Sequence, residues 1–347
     1  MKQTASDAKN TSRFFFAFFI IAFFIALEEF CQTMYNCVYS QGILRFQRMI
    51  DTCSAKEEFI FRQSDIDERI LFFDENYDAW ISALPEEVLE IVLSMLAHFD
   101  YYSHQDANKM LRALHEKLIQ RYNGKEPDAL FTYIKKKDGK ICSSIDYWSE
   151  YRIINKVDKN LCTDDIVTFP SNSWALVDSI VIIDDCCGTG GSLEKFIRLS
   201  GRDFSGKTIY YLVLHFLEQS KSMISHIENT YGVTINVLAI NSRIKASEII
   251  SGTNAQETRQ VVTAASKKMK INPDYFLGKD DSEGLMAFYN NTPNNTIGLF
   301  WCESEKNNPV LPRDFGVVPK WRPEVKQMKE SKRSRKESNY MAVKRND

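Results

Sequence analysis

Residues 180–193 read Ile-Val-Ile-Ile-Asp-Asp-Cys-Cys-Gly-Thr-Gly-Gly-Ser-Leu. The β-branched residues Ile180 to Ile183 suit a strand buried on both faces, as in a parallel sheet. Asp184 and Asp185 then stand at its carboxyl end, where open α/β sheets bind ligands. Gly188, Gly190 and Gly191 let the backbone bend with its amides turned into one concavity, and Thr189 and Ser192 add hydroxyl donors. Such a cradle fits a phosphate. A helix expected from Leu193 to about Leu199 puts the positive end of its dipole behind the same spot. Carboxylates beside the cradle point to a bound group that also carries hydroxyls, as a ribose does, or to Mg2+. The alternative, a strand and glycine turn with no ligand, leaves two adjacent carboxylates at a strand end unexplained.

Working outward, Ala129 to Ile134, Thr208 to Phe216 and Val233 to Ile240 read as further strands, and Tyr147 to Lys156 as a helix with aromatic packing on one side. Lys135 to Lys140 has the composition of a charged hairpin tip. Strands separated by helices predict a doubly wound parallel sheet. Gly201-Arg-Asp-Phe-Ser-Gly-Lys-Thr208 satisfies the nucleoside-triphosphate loop pattern letter for letter. That loop must follow a strand and open a helix. This one follows a helix and opens a strand, so it reads as a helix-to-strand turn.

The run of apolar residues, acidic pair, two variable residues, then small-Thr-Gly-small-hydroxyl-aliphatic resembles the PRPP-binding loop of type I phosphoribosyltransferases. The resemblance implies a phosphoribosyltransferase-like α/β fold in which Asp184 and Asp185 hold the ribose 2′- and 3′-hydroxyls and meet Mg2+ indirectly, through ribose or water. It implies that Gly188, Thr189, Gly190, Gly191 and Ser192 wrap the 5′-phosphate. Purine-salvage members carry an acid where this chain has Gly188, which disfavours hypoxanthine or guanine as acceptor. A cation must also meet the pyrophosphate. Arg152 is the candidate, with Lys156 behind it, because a guanidinium offers bidentate phosphate geometry; a salt-bridged helix arginine is the equal alternative.

Tyr151-Arg-Ile-Ile-Asn155 and the late Asn-Thr-Pro-Asn-Asn-Thr before Phe300-Trp301 narrow the resemblance. They resemble the phosphoribosyltransferase-like proteins of bacterial conflict and defence gene clusters, over roughly residues 70 to 315. That branch implies a bacterial, antiphage setting and a partner protein from the same gene cluster. Asn291, Thr292, Asn294 and Asn295 then have two readings, a side-chain-stabilised loop or a wall of the ligand pocket. Two function classes follow: an enzyme that transfers the phosphoribosyl group of PRPP or a related ribose 5-phosphate or nucleotide, and a catalytically inactive module that senses such a ligand.

The 347 residues carry 44% hydrophobic side chains, enough for a substantial core, and a net charge of −2, which gives no global attraction for nucleic acid. The eight cysteines lack metal-ligand spacing and read as reduced thiols of a cytoplasmic protein. Cys186 and Cys187 flank the turn, where an oxidation sensor competes with a simple need for small side chains.

The run Phe14 to Leu27 is wholly apolar but short of a spanning helix. A membrane anchor, a core helix and an extension ahead of a start at Met34 or Met49 stay open for it. Asp65 to Asn123 is helical in pattern. Pro85 opens one helix, burying Val88, Leu89, Val92, Leu96 and Phe99. Ser103 with Asp106 caps another, burying Met110, Leu111, Leu114 and Leu118. His98, His104 and His115 lie here as structural residues. From Lys320 the tail is basic and without apolar periodicity. It reads as a solvated disordered tail, with nucleic acid or an acidic protein as the alternative partner of Lys332 to Lys336. The expected organisation is thus an apolar segment at 1–33, a helical region at 34–123, an α/β domain at 124–318 and a basic tail at 319–347.

Overall fold

The computed structural model describes residues 47–135 and 144–313. Residues 47–61 are helical, and the chain divides into two compact units at Ala55/Lys56. In the second unit come α1 (Glu68–Ala83), α2 (Leu89–Ala97), β1 (Asp100–Tyr102) and α3 (His104–Arg121). Pro85 leads not directly into α2 but into a 3-10 turn at Glu86–Val88. Ser103 and Asp106 form the expected capping box of α3.

The α/β part follows as β2 (Leu130–Tyr133), α4 (Ser144–Asn155), the single turn α5 (Ser171–Trp174), β3 (Ser179–Cys187), α6 (Gly191–Ser200), β4 (Thr208–Leu217), α7 (Lys221–Tyr231) and β5 (Thr234–Arg243). The chain then runs through α8 (Ala246–Ser251) and α9 (Ala255–Lys268) to β6 (Met286–Phe288).

Four strands form one sheet in the order β2-β3-β4-β5, all parallel, with Ile180 opposite both Leu130 and Ile209. Successive side chains point to opposite faces. Val181 and Ile183 therefore join Leu111, Leu114, Tyr147 and Tyr151 of α3 and α4. Ile180 and Ile182 join Leu193, Ile197, Ile224 and Ile227 of α6 and α7. Both faces are covered, so the strand is continuously apolar instead of alternating. Each fully buried Ile or Leu contributes about 1.5–3 kcal/mol relative to exposure.

A second, two-stranded sheet pairs β1 in parallel with β6. The region read as helical thus also holds a short strand. Its helices also share cores with later residues: α1 and α2 pack with Val262, Leu299 and Phe300, and α3 with Met286 and Phe288.

The hairpin expected at Lys135 to Lys140 falls largely outside the described residues. β2 has β3 as its parallel neighbour, and the next described element is α4. Gly201 closes α6 in the left-handed region and β4 begins at Thr208. The Lys207 ammonium donates to the carbonyls of Val177 (2.5 Å) and Trp174 (3.2 Å), so this turn is not a phosphate loop. Among the described residues no helix is long and apolar enough to cross a membrane. Phe14 to Leu27 and the basic tail lie outside the described residues.

Candidate functional site

β3 carries both carboxylates inside it, runs on to Cys187, and hands over to α6 through Gly188-Thr189-Gly190. Gly190 caps α6 with φ of 78° and no side-chain hydrogen bond. Helix geometry leaves the first amides of α6 without intrahelical acceptors, and the exposed Ser192 hydroxyl stands beside them. The carbonyls on the opposite side are tied back. Ser220 Oγ donates to Cys187 O (3.1 Å) and Gly188 O (2.9 Å), and Gln219 Nε2 to Gly188 O (3.3 Å) and Ser282 O (2.9 Å). The space above Gly188 is filled by Asn295: a Cβ on Gly188 would lie 2.1 Å from Asn295 Cγ.

The two carboxylates, both buried, differ in role. Asp184 Oδ1 accepts from Ser144 Oγ (2.5 Å) and the Asp185 amide (3.0 Å), and Oδ2 accepts from Tyr211 Oη (2.7 Å). Burial, then the charge of Asp185, pushes the Asp184 carboxyl well above the usual carboxylate range, while Ser144 and Tyr211 draw it back. Asp184 is therefore an anchor between α4, β3 and β4. Asp185 accepts the Cys186 amide at 2.8 Å. On its side Tyr147 Oη donates to Asn290 Oδ1 (2.9 Å) and Asn290 Nδ2 to Asp146 Oδ2 (3.2 Å). Burial raises the Asp146 carboxyl, the Asn290 amide lowers it, and Glu150 and Asp185 raise it again.

The remaining candidates divide. Asn295 reaches the turn, whereas Thr292 is wholly buried and donates to Leu311 O (2.8 Å). The backbone carbonyl of Asn294 accepts from the Lys279 amide (2.7 Å), and that of Asn291 from Phe288 (2.8 Å). Arg152 is not brought to the turn. Its guanidinium lies 4.9 Å from the Trp148 ring and 3.9 Å from Asp164, about 12 Å along α4 from Ser144. Lys156 lies just past the end of α4 with φ of 53°. Ser144, Tyr211, Gln219 and Ser220 were invisible as site residues, since each acts through a contact distant in sequence.

Both cysteines by the turn are held as thiols. Burial and then Asp185 raise Cys186, and burial pushes Cys187 up to about 12, so neither supplies a thiolate at neutral pH. The histidines of the helical region have structural partners: His115 Nδ1 with Tyr151 Oη at 2.7 Å and His104 Nε2 with Glu150 at 2.9 Å, while His98 caps α2. Among the described residues no three His, Cys, Asp or Glu side chains converge as a metal cage. With Asp184 saturated, the donor set fits Mg2+ only through Asp185 and oxygens that a ligand brings.

Two strands from the turn, at the same carboxyl edge, a cleft of about 540 Å³ is lined by Arg62, Asp100, Glu218, Ser242 and Arg243 among others. Its carboxylates are paired internally, Asp100 with Arg243 and Glu218 with Lys221. Behind it Asn241 Nδ2 donates to Tyr102 Oη (2.7 Å), which shares a second hydrogen bond with His215 Nδ1 (2.7 Å).

Burial pulls His215 down to about 4, Asp100 partly opposing and Arg243 assisting. The unfolded chain, with a value near 6.5, takes up this proton first. Stability present above pH 6.5 is therefore lost as pH falls to 4, by about 3 kcal/mol. Urea unfolding between pH 4 and 7 should show a flatter acid limb for His215→Gln than for the wild type. Parallel limbs would remove His215 as the cause.

A crystal structure of a hypothetical protein from Neisseria gonorrhoeae with bound ppGpp is similar at 14% identity, covering 48% of this chain and 97% of that one, with a TM-score of 0.27. No curated protein sequence matches. A family model, PRTase-CE, matches residues 77–323. That stretch contains both sheets, the acidic pair and the glycine turn, and the chain accordingly belongs to this phosphoribosyltransferase-like family.

Proposed function

We propose that this chain binds PRPP, or a related ribose 5-phosphate or nucleotide, with Mg2+, and transfers its phosphoribosyl group as an effector of bacterial antiphage defence. The observation that carries the binding reading is the uncapped amino end of α6, fed by a glycine turn whose carbonyls are tied back, directly after a buried acidic pair.

In this reading the turn fixes the 5′-phosphate by its amides and the Thr189 and Ser192 hydroxyls. Asp185 accepts from a ribose hydroxyl, and Asp184, locked by Ser144 and Tyr211, sets the strand end. Mg2+ would neutralise the leaving pyrophosphate. The acceptor attacks C1 as the bond to pyrophosphate breaks, and the chain needs no covalent nucleophile. Asp146, with Asn290 and Tyr147, stands on the Asp185 side to receive the acceptor.

A sensing module without turnover is the second reading. Saturation of Asp184 and the remoteness of Arg152 favour it. The defence setting rests on the motif resemblance alone.

Thermal-shift titrations with PRPP, ribose 5-phosphate and nucleotides, with and without Mg2+, test the site. At 100-fold over the dissociation constant, a ligand should add about 2.7 kcal/mol, and Asp184→Asn/Asp185→Asn should lose that gain. Absence of any shift would sink both readings. A shift without turnover would leave the sensor. Phage plating on a bacterial host expressing wild type or the same double variant tests the defence role, which equal plating would rule out.

A further inference from the structure

The cleft two strands from the glycine turn has no part in the phosphate cradle. It stands at the carboxyl ends of β4 and β5, where open α/β sheets bind ligands, and its volume of about 540 Å³ suits a small molecule. The 3-10 turn Glu218–Ser220 divides the two spaces. Glu218 lines the cleft, whereas Gln219 and Ser220 donate to Gly188 O on the cradle side.

Charge decides what this cleft can hold. Arg243 commits its Nε and Nη2 to Asp100 (2.9 and 3.0 Å), and Glu218 is paired with Lys221 and accepts from Ser242 Oγ. Both carboxylates are thus balanced. Arg62 differs: its Nε, Nη1 and Nη2 donate to the carbonyls of Glu58 (3.3 Å), Ala97 (2.8 Å) and Leu96 (2.5 Å). These partners fix the guanidinium in place without neutralising it, and among the described residues Arg62 forms no ion pair. A guanidinium has five N–H donors, so part of its fork stays open to a ligand. Beside it Ala97, Ile244 and Ile249 supply an apolar wall, with Ile244 at the exposed rim.

We propose that this cleft is a second ligand site, for a small organic anion whose charged group meets Arg62 and whose apolar body lies against Ala97, Ile244 and Ile249. The charged group is a carboxylate or a phosphate monoester, either of which a guanidinium fork matches. The site stands whether or not the glycine turn holds a ribose phosphate, because the Glu218–Ser220 turn separates the two.

Methyl NMR of the full chain labelled at isoleucine, titrated with benzoate, phenyl phosphate and the neutral benzyl alcohol, reads the cleft directly. One or both anions should move the Ile244 and Ile249 signals, the tighter binder identifying the charged group, and benzyl alcohol should leave them in place. Arg62→Gln removes a charged hydrogen-bonding partner and should weaken the anion roughly ten- to a hundredfold. Ile244→Asp sets a like charge at the exposed rim without touching a hydrogen bond of the fold. Read at Ile249, it should also weaken the anion, and it decides the matter if Arg62→Gln does not fold. Failure of both anions to move either signal overturns the site, as does equal movement by benzyl alcohol. Unchanged affinity in either folded variant overturns it too. Movement confined to Ile182 and Ile197, in the core beside the glycine turn, would put the anion at the turn and leave the cleft without a ligand.

Discussion

Arg69→Met should lower the melting temperature by on the order of 10 °C, a loss of about 3–5 kcal/mol. The side chain is 1% exposed, an unusual fate for a guanidinium. From α1 its Nη1 donates to Phe288 O (2.7 Å), and its Nη2 to Pro312 O (2.7 Å) and Thr292 Oγ1. Burial lowers it to about 10, with Tyr101 and Asp67 opposing, so it remains charged at neutral pH. A buried charge is tolerated when its donors are filled, and removing it leaves carbonyls stranded at about 1–3 kcal/mol each. Lysine should not rescue, since one ammonium cannot reproduce a planar fork spanning three acceptors. Urea unfolding of Arg69→Met and Arg69→Lys checks this; a loss under about 1 kcal/mol in Arg69→Met would refute the clamp.

Gly188→Ala should abolish ribose 5-phosphate binding and destabilise the fold by about 1–3 kcal/mol. The new methyl group would lie 2.1 to 2.5 Å from the three terminal atoms of the Asn295 amide. The backbone of Asn295 has little room to retreat, so relief of the clash falls to its side chain. Its carbonyl accepts from Gly284 N (2.9 Å) and Ser282 Oγ (2.8 Å), and a Cβ on Gly278 would lie 2.3 Å from the same oxygen. Trimming the amide should relieve the clash, so Gly188→Ala/Asn295→Ala should recover most of the stability lost in Gly188→Ala. A double-mutant cycle by urea unfolding should give a coupling of at least about 1 kcal/mol. Strict additivity would show that the amide does not sit over Gly188 in solution.

What could be read directly from the sequence was local. Ile180 to Ile183 announce a doubly covered strand, Ser103 and Asp106 a helix start, and the glycines after Cys187 a strand-to-helix turn, because each signal is short-range chemistry. The strand outran its apolar run: Asp184 and Asp185 are inside β3, since Ser144 and Tyr211 supply the donors that let a carboxylate sit there. β1 and β6 span three residues each, too few for a strand period to show. Arg152 looked attractive by type, yet helix geometry carries it away from Ser144.

The pairing of β1 with β6 has a further consequence for how the molecule is made. Tyr102 pairs with Phe288, most of the described chain later. Contacts of such separation form slowly, because closing the intervening loop costs entropy before any contact is gained. During synthesis the four-stranded sheet emerges complete while β1, with the aromatic faces of Tyr101 and Tyr102, still lacks its neighbour. The segment that delivers β6 also delivers Asn295, so the cover over Gly188 is assembled last. A nascent chain stalled before Met286 would hold a folded sheet with an open, protease-sensitive rim and nothing over Gly188.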